Sequence, residues 1–313
     1  FKQLLMTSGF DRYFQIAPCF RDEDARADRS PGEFYQLDME MAFASQEDVF
    51  AVIEDVLPPV FAKYGIYKEA SKAPFARISY RDALEKYGSD KPDLRIDLVL
   101  QDATEVLADC GFGPFEGQCV EAIVVDQFTA TRKVIDKICA DVEVQSGQKA
   151  YWFKLDENGE LVGGIAKFLQ ERKEAVIEKL GLKKGDFVGL TAGKKGDALK
   201  GAGVLRKYLG MNSEAHMKQN CYEFCWIVDF PMYEIGEESG ELEFCHNPFS
   251  MPQGGMDALC NADPLSINAY QYDLVCNGVE LSSGAVRNHD PEIMVKAFEI
   301  VGLGEDAVKA KFP

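Results

Sequence analysis

Two stretches with strand character flank a densely charged loop near the start of the chain. Residues 15–20 and 34–43 are predicted strands, and the charged segment between them ends at Pro31-Gly32. The second strand alternates, with Tyr35, Leu37, Met39 and Met41 on one face and Phe34, Gln36, Asp38 and Glu40 on the other. This pattern predicts a long hairpin whose apolar face packs on a core and whose polar face lines solvent or a polar cleft.

Further along the chain, helix-capping residues and a change in residue pattern predict three segments. Ser45 is a predicted helix cap, and Pro58-Pro59 is expected to kink or end that helix. The stretch from Asp90 to Asp93 is a predicted boundary. After it come a predicted strand at 122–126, helices at 129–140 and 168–181, and few candidate catalytic groups. We therefore expect an α+β domain at 97–218, inserted between 1–96 and 219–313.

Strand character returns in the last third of the chain. Predicted strands cover 224–229, 242–249 and 279–287, and Asp290-Pro291 is expected to start a final helix. Together with the hairpin, these strands predict an α+β fold built on an antiparallel sheet with flanking helices.

Composition limits the class of protein. The chain has 313 residues and a net charge of −18, which argues against a general nucleic-acid-binding surface. No apolar run approaches the roughly 20 residues of a membrane span, and no signal peptide is evident. The nine cysteines include no CxxC pair, so we expect reduced thiols in a cytoplasmic protein.

Three groups of residues are candidates for chemistry. The loop arginines, beginning with Arg21, could clamp phosphate, although charge alone favours a solvated hairpin. A strand of small residues carries Glu280 and Arg287, with a plain edge strand as the alternative. His246 stands alone on a predicted strand, where a structural histidine is the alternative.

The hairpin sequence supplies a more specific interpretation. The hairpin resembles motif 2 of class II aminoacyl-tRNA synthetases, in the form typical of aspartate–tRNA ligases. The residues that carry this resemblance are Phe20-Arg21-Asp22-Glu23 and Phe34-Tyr35-Gln36-Leu37-Asp38. The resemblance implies that Arg21 binds the ATP α-phosphate and the substrate α-carboxylate, that Glu23 contacts the adenine side and that Phe34 stacks under the adenine. It also implies that Gln36 and Asp38 face the aspartate pocket.

Segment 278–289 resembles the strand before motif 3 of the same family. The resemblance implies that Glu280 contacts ATP and its Mg²⁺, that Asp273 is the second magnesium carboxylate and that Arg287 pairs with the side-chain carboxylate of the substrate. Strict alternation would place Glu280 and Arg287 on opposite faces. If both act, a bulge or bend near Gly284 must change the parity.

Two further segments carry the same resemblance. Lys2 matches a family lysine that pairs with the aspartate side chain, and the stretch from His246 to Phe249 is similar to a His-x-Pro-Phe segment that covers bound aspartate. The stretch from Tyr87 to Arg95 matches the bacterial subgroup, in which an inserted domain of the GAD type follows. The similarity covers essentially the whole chain.

The resemblance implies an ATP- and Mg²⁺-dependent ligase, a homodimer, that joins L-aspartate to tRNA(Asp), with tRNA(Asn) left open. Arg21, Glu280 and Arg287 would be the catalytic groups. The family's anticodon-binding barrel, dimer-forming motif 1 and motif 3 are expected to lie outside 1–313, so this piece is expected to be inactive alone. Two alternatives stand: a non-catalytic paralogue that binds aspartate or an adenylate, and an asparagine–tRNA ligase.

Overall fold

The computed structural model describes residues 2–20, 32–236 and 239–311. Arg21 and Glu23, both expected to contact ATP, therefore lie outside the described residues. The first part of the chain contains helices α1 (Lys2–Thr7), α2 (Gln46–Tyr64) and α3 (Tyr80–Tyr87) and strands β1 (Arg12–Phe20), β2 (Glu33–Met41), β3 (Glu69–Ala70) and β4 (Ala76–Ser79).

The middle part contains strands β5 (Leu100–Asp102), β6 (Cys119–Val125), β7 (Ala150–Leu155), β8 (Leu161–Val162) and β9 (Phe187–Gly193) and helices α4 (Thr104–Leu107), α5 (Arg132–Ser146), α6 (Lys173–Leu180) and α7 (Lys195–Met211). The last part contains strands β10 (Cys221–Tyr222), β11 (Phe224–Val228), β12 (Phe230–Pro231), β13 (Tyr233–Ile235), β14 (Leu242–Phe244), β15 (Asn268–Ala269), β16 (Gln271–Cys276) and β17 (Val279–Ala285) and helices α8 (Gly255–Asn261), α9 (Pro291–Ile300) and α10 (Glu305–Lys311). Helix α10 was not predicted from the sequence.

The predicted hairpin is confirmed as the antiparallel pair β1–β2. Its apolar face does not pack on a core: Phe14 is 71% exposed, Ile16 69% and Tyr35 72%. That part of the prediction is wrong for the described residues. The physical reason is that β1 and β2 form a sheet of their own, which no other described strand extends.

A four-stranded sheet in the order β17-β16-β11-β4 forms the centre of the first and last parts of the chain. Its pairs are antiparallel except β4–β11. On one side, Phe50 of α2 stacks on Trp226 with ring centroids 4.0 Å apart. On the other side, Ala83 of α3 packs with Ile227 and Val275. The sheet is therefore covered by helices on both sides, in agreement with the predicted α+β class.

Helix α2 begins as predicted, with a capping box between Ser45 and Asp48, but it does not end at the prolines. It runs through Pro58 and Pro59 to Tyr64. Prolines remove two intrahelical hydrogen bonds. The last turn is nevertheless held by Phe61, whose ring makes edge contacts with Tyr222 and Phe224 at 4.9 and 5.2 Å.

The middle part folds around an antiparallel five-stranded sheet in the order β5-β6-β9-β7-β8. Its two apolar clusters lie between Ile96 and Met217, one on each side of this sheet's strands. Because this body has its own sheet and its own core, we propose that it is the inserted domain, with the boundaries predicted at 97 and 218.

His216 links three segments at the edge of the middle part. Its Nδ1 lies 2.8 Å from Asp97 Oδ1, and its Nε2 contacts Asp126 Oδ1. Burial alone would lower the pKa of His216, but the hydrogen bonds to the two carboxylates raise it above the ordinary value of 6.5. Only the imidazolium can donate from both ring nitrogens.

We expect this contact to make stability depend on pH. A raised folded-state pKa contributes stability that is fully present below about pH 6.5 and is lost as the pH rises through the folded value. Urea unfolding between pH 6 and 9 should show a decline for the wild type that is flatter in His216→Asn. His289→Asn, which changes an exposed histidine, should follow the wild type. Identical slopes for all three proteins would contradict this assignment.

No helix in the described ranges is both long and apolar enough to cross a membrane.

Candidate functional site

A β-bulge in β17 determines the face of the strand on which Glu280 lies. Leu274 of β16 is opposite Ser282, but the next residue, Val275, is opposite Glu280, so Leu281 is extra. Residues directly opposite each other share a face. Glu280 therefore shares the face of Val275 and hence of Asp273. A bulge or bend near Gly284 was expected if Glu280 and Arg287 both act; the structure has a bulge, and it lies at Leu281.

The alternation beyond the bulge leads to Arg287. Ser283 is opposite Asp273, and Arg287 continues the extended chain through an isolated bridge to Ser250. Ser283 and Arg287 are four positions apart, an even number, so both fall on one face. The register thus brings Asp273, Glu280 and Arg287 to the same side of the strand pair.

Gly284 has a packing role instead of a bulge role. A Cβ at this position would lie 2.4 Å from Cε2 of Tyr272, which is directly opposite. The ring of Tyr272 therefore occupies the space that any larger side chain would need.

The two carboxylates expected to hold magnesium lie in different surroundings. Asp273 is 6% exposed, whereas Glu280 is exposed at its side chain. Burial raises the pKa of Asp273 to about 7, Glu280 adds to the rise and Lys91 opposes it. Mg²⁺ in nucleotide sites takes one or two carboxylates and completes its shell with phosphate and water oxygens. Two carboxylates on one face of neighbouring strands fit that requirement.

Among the described residues, no group of three or more His, Cys, Asp or Glu side chains is arranged to hold a metal ion. A cation at this place would therefore depend on substrate oxygens for most of its shell, as Mg²⁺ with ATP does.

Lys2 of α1 reaches the polar face of the hairpin. Its Nζ lies 2.9 Å from Asp38 Oδ1 and 2.8 Å from Glu40 Oε1. Burial alone would lower the pKa of Lys2, but hydrogen bonds to these carboxylates raise it. Gln15 donates to Asp38 over 3.2 Å, and Gln36 accepts from the Cys19 thiol over 3.5 Å.

The hairpin residues expected to face the substrate keep their predicted side. Phe34 and Gln36 lie in register with Cys19 and Ala17, so they share the face of Asp38. Lys2, Gln36 and Asp38 are thus brought together, with Phe34 at the far end of the same face.

Tyr272 relates the hairpin to the Arg287 strand. Burial raises the pKa of the Tyr272 phenol to about 12; Glu40 adds to this rise and Arg287 opposes it. Both charged groups therefore act electrostatically on the same phenol.

The His246 segment also meets the Arg287 strand. Met251 donates its N–H to Val286 O, and Asn288 donates to Phe249 O, both over 2.8 Å. His246 is not on a strand as predicted: β14 ends at Phe244. The physical reason is local, because the Asn247 side chain accepts from Phe249 N over 3.0 Å and Pro248 has no N–H for a sheet.

The His246 ring packs on two aromatic residues. It makes edge contacts with Tyr80 and Phe230, with centroids 5.7 and 5.1 Å apart. Burial raises the pKa of the Tyr80 phenol to about 12, with smaller contributions from Cys245 and Asp90. Tyr80 therefore lies between the His246 segment and the loop that carries Asp90.

Sequence reasoning missed three residues of this region: Tyr80, Asp90 and Lys91. Lys91 Nζ lies 2.5 Å from Asp90 Oδ2 and 3.4 Å from Glu280 Oε2. The signal was present, since the segment matching the bacterial subgroup includes both charged residues, but it was interpreted only as a domain boundary.

The arrangement has two chemically distinct ends. An acidic end holds Asp90 and Glu280 in contact with Lys91, which also acts electrostatically on Asp273, and it suits a cation with phosphates. The other end has Lys2 paired with Asp38 and Glu40, and Arg287 and Glu40 both act on the Tyr272 phenol; its two cations suit a ligand with a carboxylate. Such a site can align a carboxylate with a phosphoryl group without a side-chain nucleophile.

Comparison with known proteins shows the family to which the chain is similar. The family model described as tRNA synthetases class II (D, K and N) matches residues 1–313. An aspartate–tRNA ligase of Streptomyces coelicolor is 54% identical over 315 residues, which cover 100% of this chain and 53% of that protein. An aspartate–tRNA(Asp/Asn) ligase of Zymomonas mobilis is 52% identical over 319 residues, again 100% of this chain and 53% of that protein.

A solved structure, the aspartyl tRNA synthetase from Entamoeba histolytica, matches with 16% identity and a TM-score of 0.40, and it covers 99% of this chain and 41% of that chain. The chain spans about half the length of the curated relatives it matches.

Proposed function

This chain belongs to the class II tRNA synthetases of the D, K and N type, and we propose that the protein acts as an aspartate–tRNA ligase. The observation that carries the proposal is the bulge at Leu281, because it puts Glu280 on the face of Asp273 and Arg287. The 54% identity to a protein named aspartate–tRNA ligase supports the choice of aspartate.

The proposed reaction has two steps. The α-carboxylate of aspartate attacks the α-phosphorus of ATP and pyrophosphate leaves; the terminal hydroxyl of tRNA then attacks the carbonyl carbon of the adenylate and AMP leaves. In this proposal Arg21 neutralises the α-phosphate, Glu23 and Phe34 hold the adenine, and Glu280 contacts the nucleotide. Mg²⁺ held by Asp273 and Glu280 would neutralise phosphate charge.

We assign selectivity for aspartate to the end of the site that carries Lys2 and Arg287. Lys2 and Arg287 would meet the side-chain carboxylate, while Gln36, Asp38 and His246 complete the pocket. Asparagine is neutral, so it would gain no charge pairing with Lys2 and Arg287 and bind poorly. Asp38 and Glu40 already hold Lys2 in place, and this fixes the ammonium before substrate arrives.

Four wider assignments complete the proposal. We propose a homodimer, on the basis of the family resemblance, and a cytoplasmic setting, in which the nine free cysteines would stay reduced. The name of the Zymomonas mobilis relative adds tRNA(Asn) as a second acceptor to test beside tRNA(Asp). The inserted domain is assigned to 97–218.

The test is ATP–pyrophosphate exchange with the full-length protein. We expect exchange that depends on aspartate and is absent with asparagine, followed by transfer to tRNA(Asp) in the presence of that tRNA. Folded protein that binds an aspartyl-adenylate analogue in calorimetry but shows no exchange would instead establish the non-catalytic alternative. Exchange with asparagine in place of aspartate would establish the asparagine ligase.

A further inference from the structure

Lys91 occupies the acidic end of the site. Its ammonium lies 2.5 Å from Asp90 and 3.4 Å from Glu280, and it also acts electrostatically on buried Asp273. Two carboxylates thus contact the ammonium, and a third acts on it electrostatically. Its side chain is 34% exposed, so the group is set into the protein and is not a freely solvated surface charge.

The loop that carries Lys91 is fixed against the turn between β16 and β17. A Cβ on Gly278 in that turn would lie 3.4 Å from Asp93 Cβ and 3.7 Å from Lys91 O. The loop backbone therefore packs directly beside the strand that bears Glu280.

The inserted body holds the same loop from the other side. A Cβ on Gly203 of α7 would lie 2.3 Å from Gly88 O, so the two backbones touch. Arg206 of α7 is 2% exposed and donates to Asp93 O over 3.1 Å and to Leu98 O over 2.6 Å. Because both sides of the loop are held, the position of Lys91 is built into the fold.

We propose that Lys91 is the resident counter-cation of the Asp273–Glu280 pair, and that a divalent cation must displace its ammonium from Glu280 in order to bind. The inference rests on the proposed function, since it concerns the metal site assigned there. Lys91 is accordingly a positioning residue. It stabilises the carboxylates when no metal is bound, and it sets the concentration at which a divalent cation replaces its ammonium.

The contacts of Lys91 allow its ammonium to be displaced from Glu280. The ammonium is closer to Asp90 than to Glu280, so it keeps a partner when it leaves Glu280. Removing the charge of Lys91 would leave the carboxylates uncompensated, and a divalent cation would then bind them more tightly.

The test is a Mn²⁺ titration of nucleotide-free protein, with free Mn²⁺ followed by electron paramagnetic resonance. Lys91→Met should bind Mn²⁺ about fivefold or more tightly than the wild type. Lys91→Arg, which keeps the charge, should stay near the wild type. Lys86→Met is the matched control, because it makes the same change of net charge at an exposed lysine that pairs with Asp82.

The Asp273→Asn substitution is made in the wild type and in Lys91→Met. It shows whether the measured Mn²⁺ is bound at the Asp273–Glu280 pair. If the added affinity of Lys91→Met disappears with Asp273→Asn, the proposal is supported. If an Asp273-dependent site exists but Lys91→Met binds no tighter than Lys86→Met, the role of Lys91 is wrong while the metal site stands.

If no variant shows Asp273-dependent binding, either without nucleotide or with a non-hydrolysable ATP analogue that supplies phosphate oxygens, the metal assignment of the proposed function fails and this inference fails with it. Circular dichroism checks the fold of each variant. Lys91→Gln, which can still hydrogen-bond to Asp90, replaces Lys91→Met if the latter does not fold, and the same outcomes then decide.

Discussion

Arg287→Ala is expected to lower aspartate-dependent ATP–pyrophosphate exchange by about 1000-fold in the full-length enzyme. Truncating one partner of a desolvated charge pair costs about 2–5 kcal/mol, and each 1.4 kcal/mol is a factor of ten. The substrate carboxylate would keep only Lys2, which is already shared between Asp38 and Glu40. The measurement is kcat/KM for aspartate.

The discrimination between aspartate and asparagine should fall with the same substitution, because the variant lacks the Arg287 cation that would pair with the side-chain carboxylate of aspartate. Arg81→Ala is the control. Arg81 is 83% exposed at its side chain and pairs with Glu85 on its own helix, so its removal should leave exchange unchanged. Full exchange by folded Arg287→Ala would overturn the assignment of Arg287.

Glu54→Ala is expected to destabilise the fold by about 3–5 kcal/mol, the cost of breaking a buried ion pair by removing one partner. Glu54 is 7% exposed and lies on α2. Its Oε1 accepts hydrogen bonds from Phe75 N over 3.0 Å, from Arg77 Nη1 over 2.5 Å and from Trp226 Nε1 over 3.0 Å. Alanine would remove this acceptor from the Phe75 N–H and the Trp226 indole N–H, whereas Arg77 Nη1 would keep Phe75 O at 2.6 Å.

Glu47→Ala provides a matched comparison. Glu47 pairs with the same Arg77 over 2.9 Å, but its side chain is 61% exposed, so the loss should stay below about 1 kcal/mol. Urea unfolding of both variants, with unchanged m-values, gives the free energies. Equal losses for the two variants would show that burial of Glu54 does not carry the effect.

The sequence was most informative where structure depends on near neighbours. The alternation in the hairpin placed Gln36, Asp38 and Glu40 on one face, and the register with β1 agrees. The helix start at Ser45 was also correct, since a cap is formed by residues three positions apart. Such features follow from backbone geometry and short-range hydrogen bonds.

Long-range packing decided the features that were predicted wrongly. The prolines of α2 did not end that helix, because aromatic residues from β10 and β11 hold its last turn. The apolar face of the hairpin carries a clear core signal and yet is exposed among the described residues. Periodicity indicates which residues share a face, but it does not indicate what that face contacts.

The site divides in the same way. The sequence by itself identified the family motifs, predicted Lys2 and Arg287 as the pair that would bind aspartate, and required a change of parity between Glu280 and Arg287 if both act. Only the tertiary structure decided that the extra residue is Leu281, because a bulge is defined by pairing with β16. It alone brought Lys91 to Glu280, because that contact joins residues 189 positions apart through a loop held between two bodies.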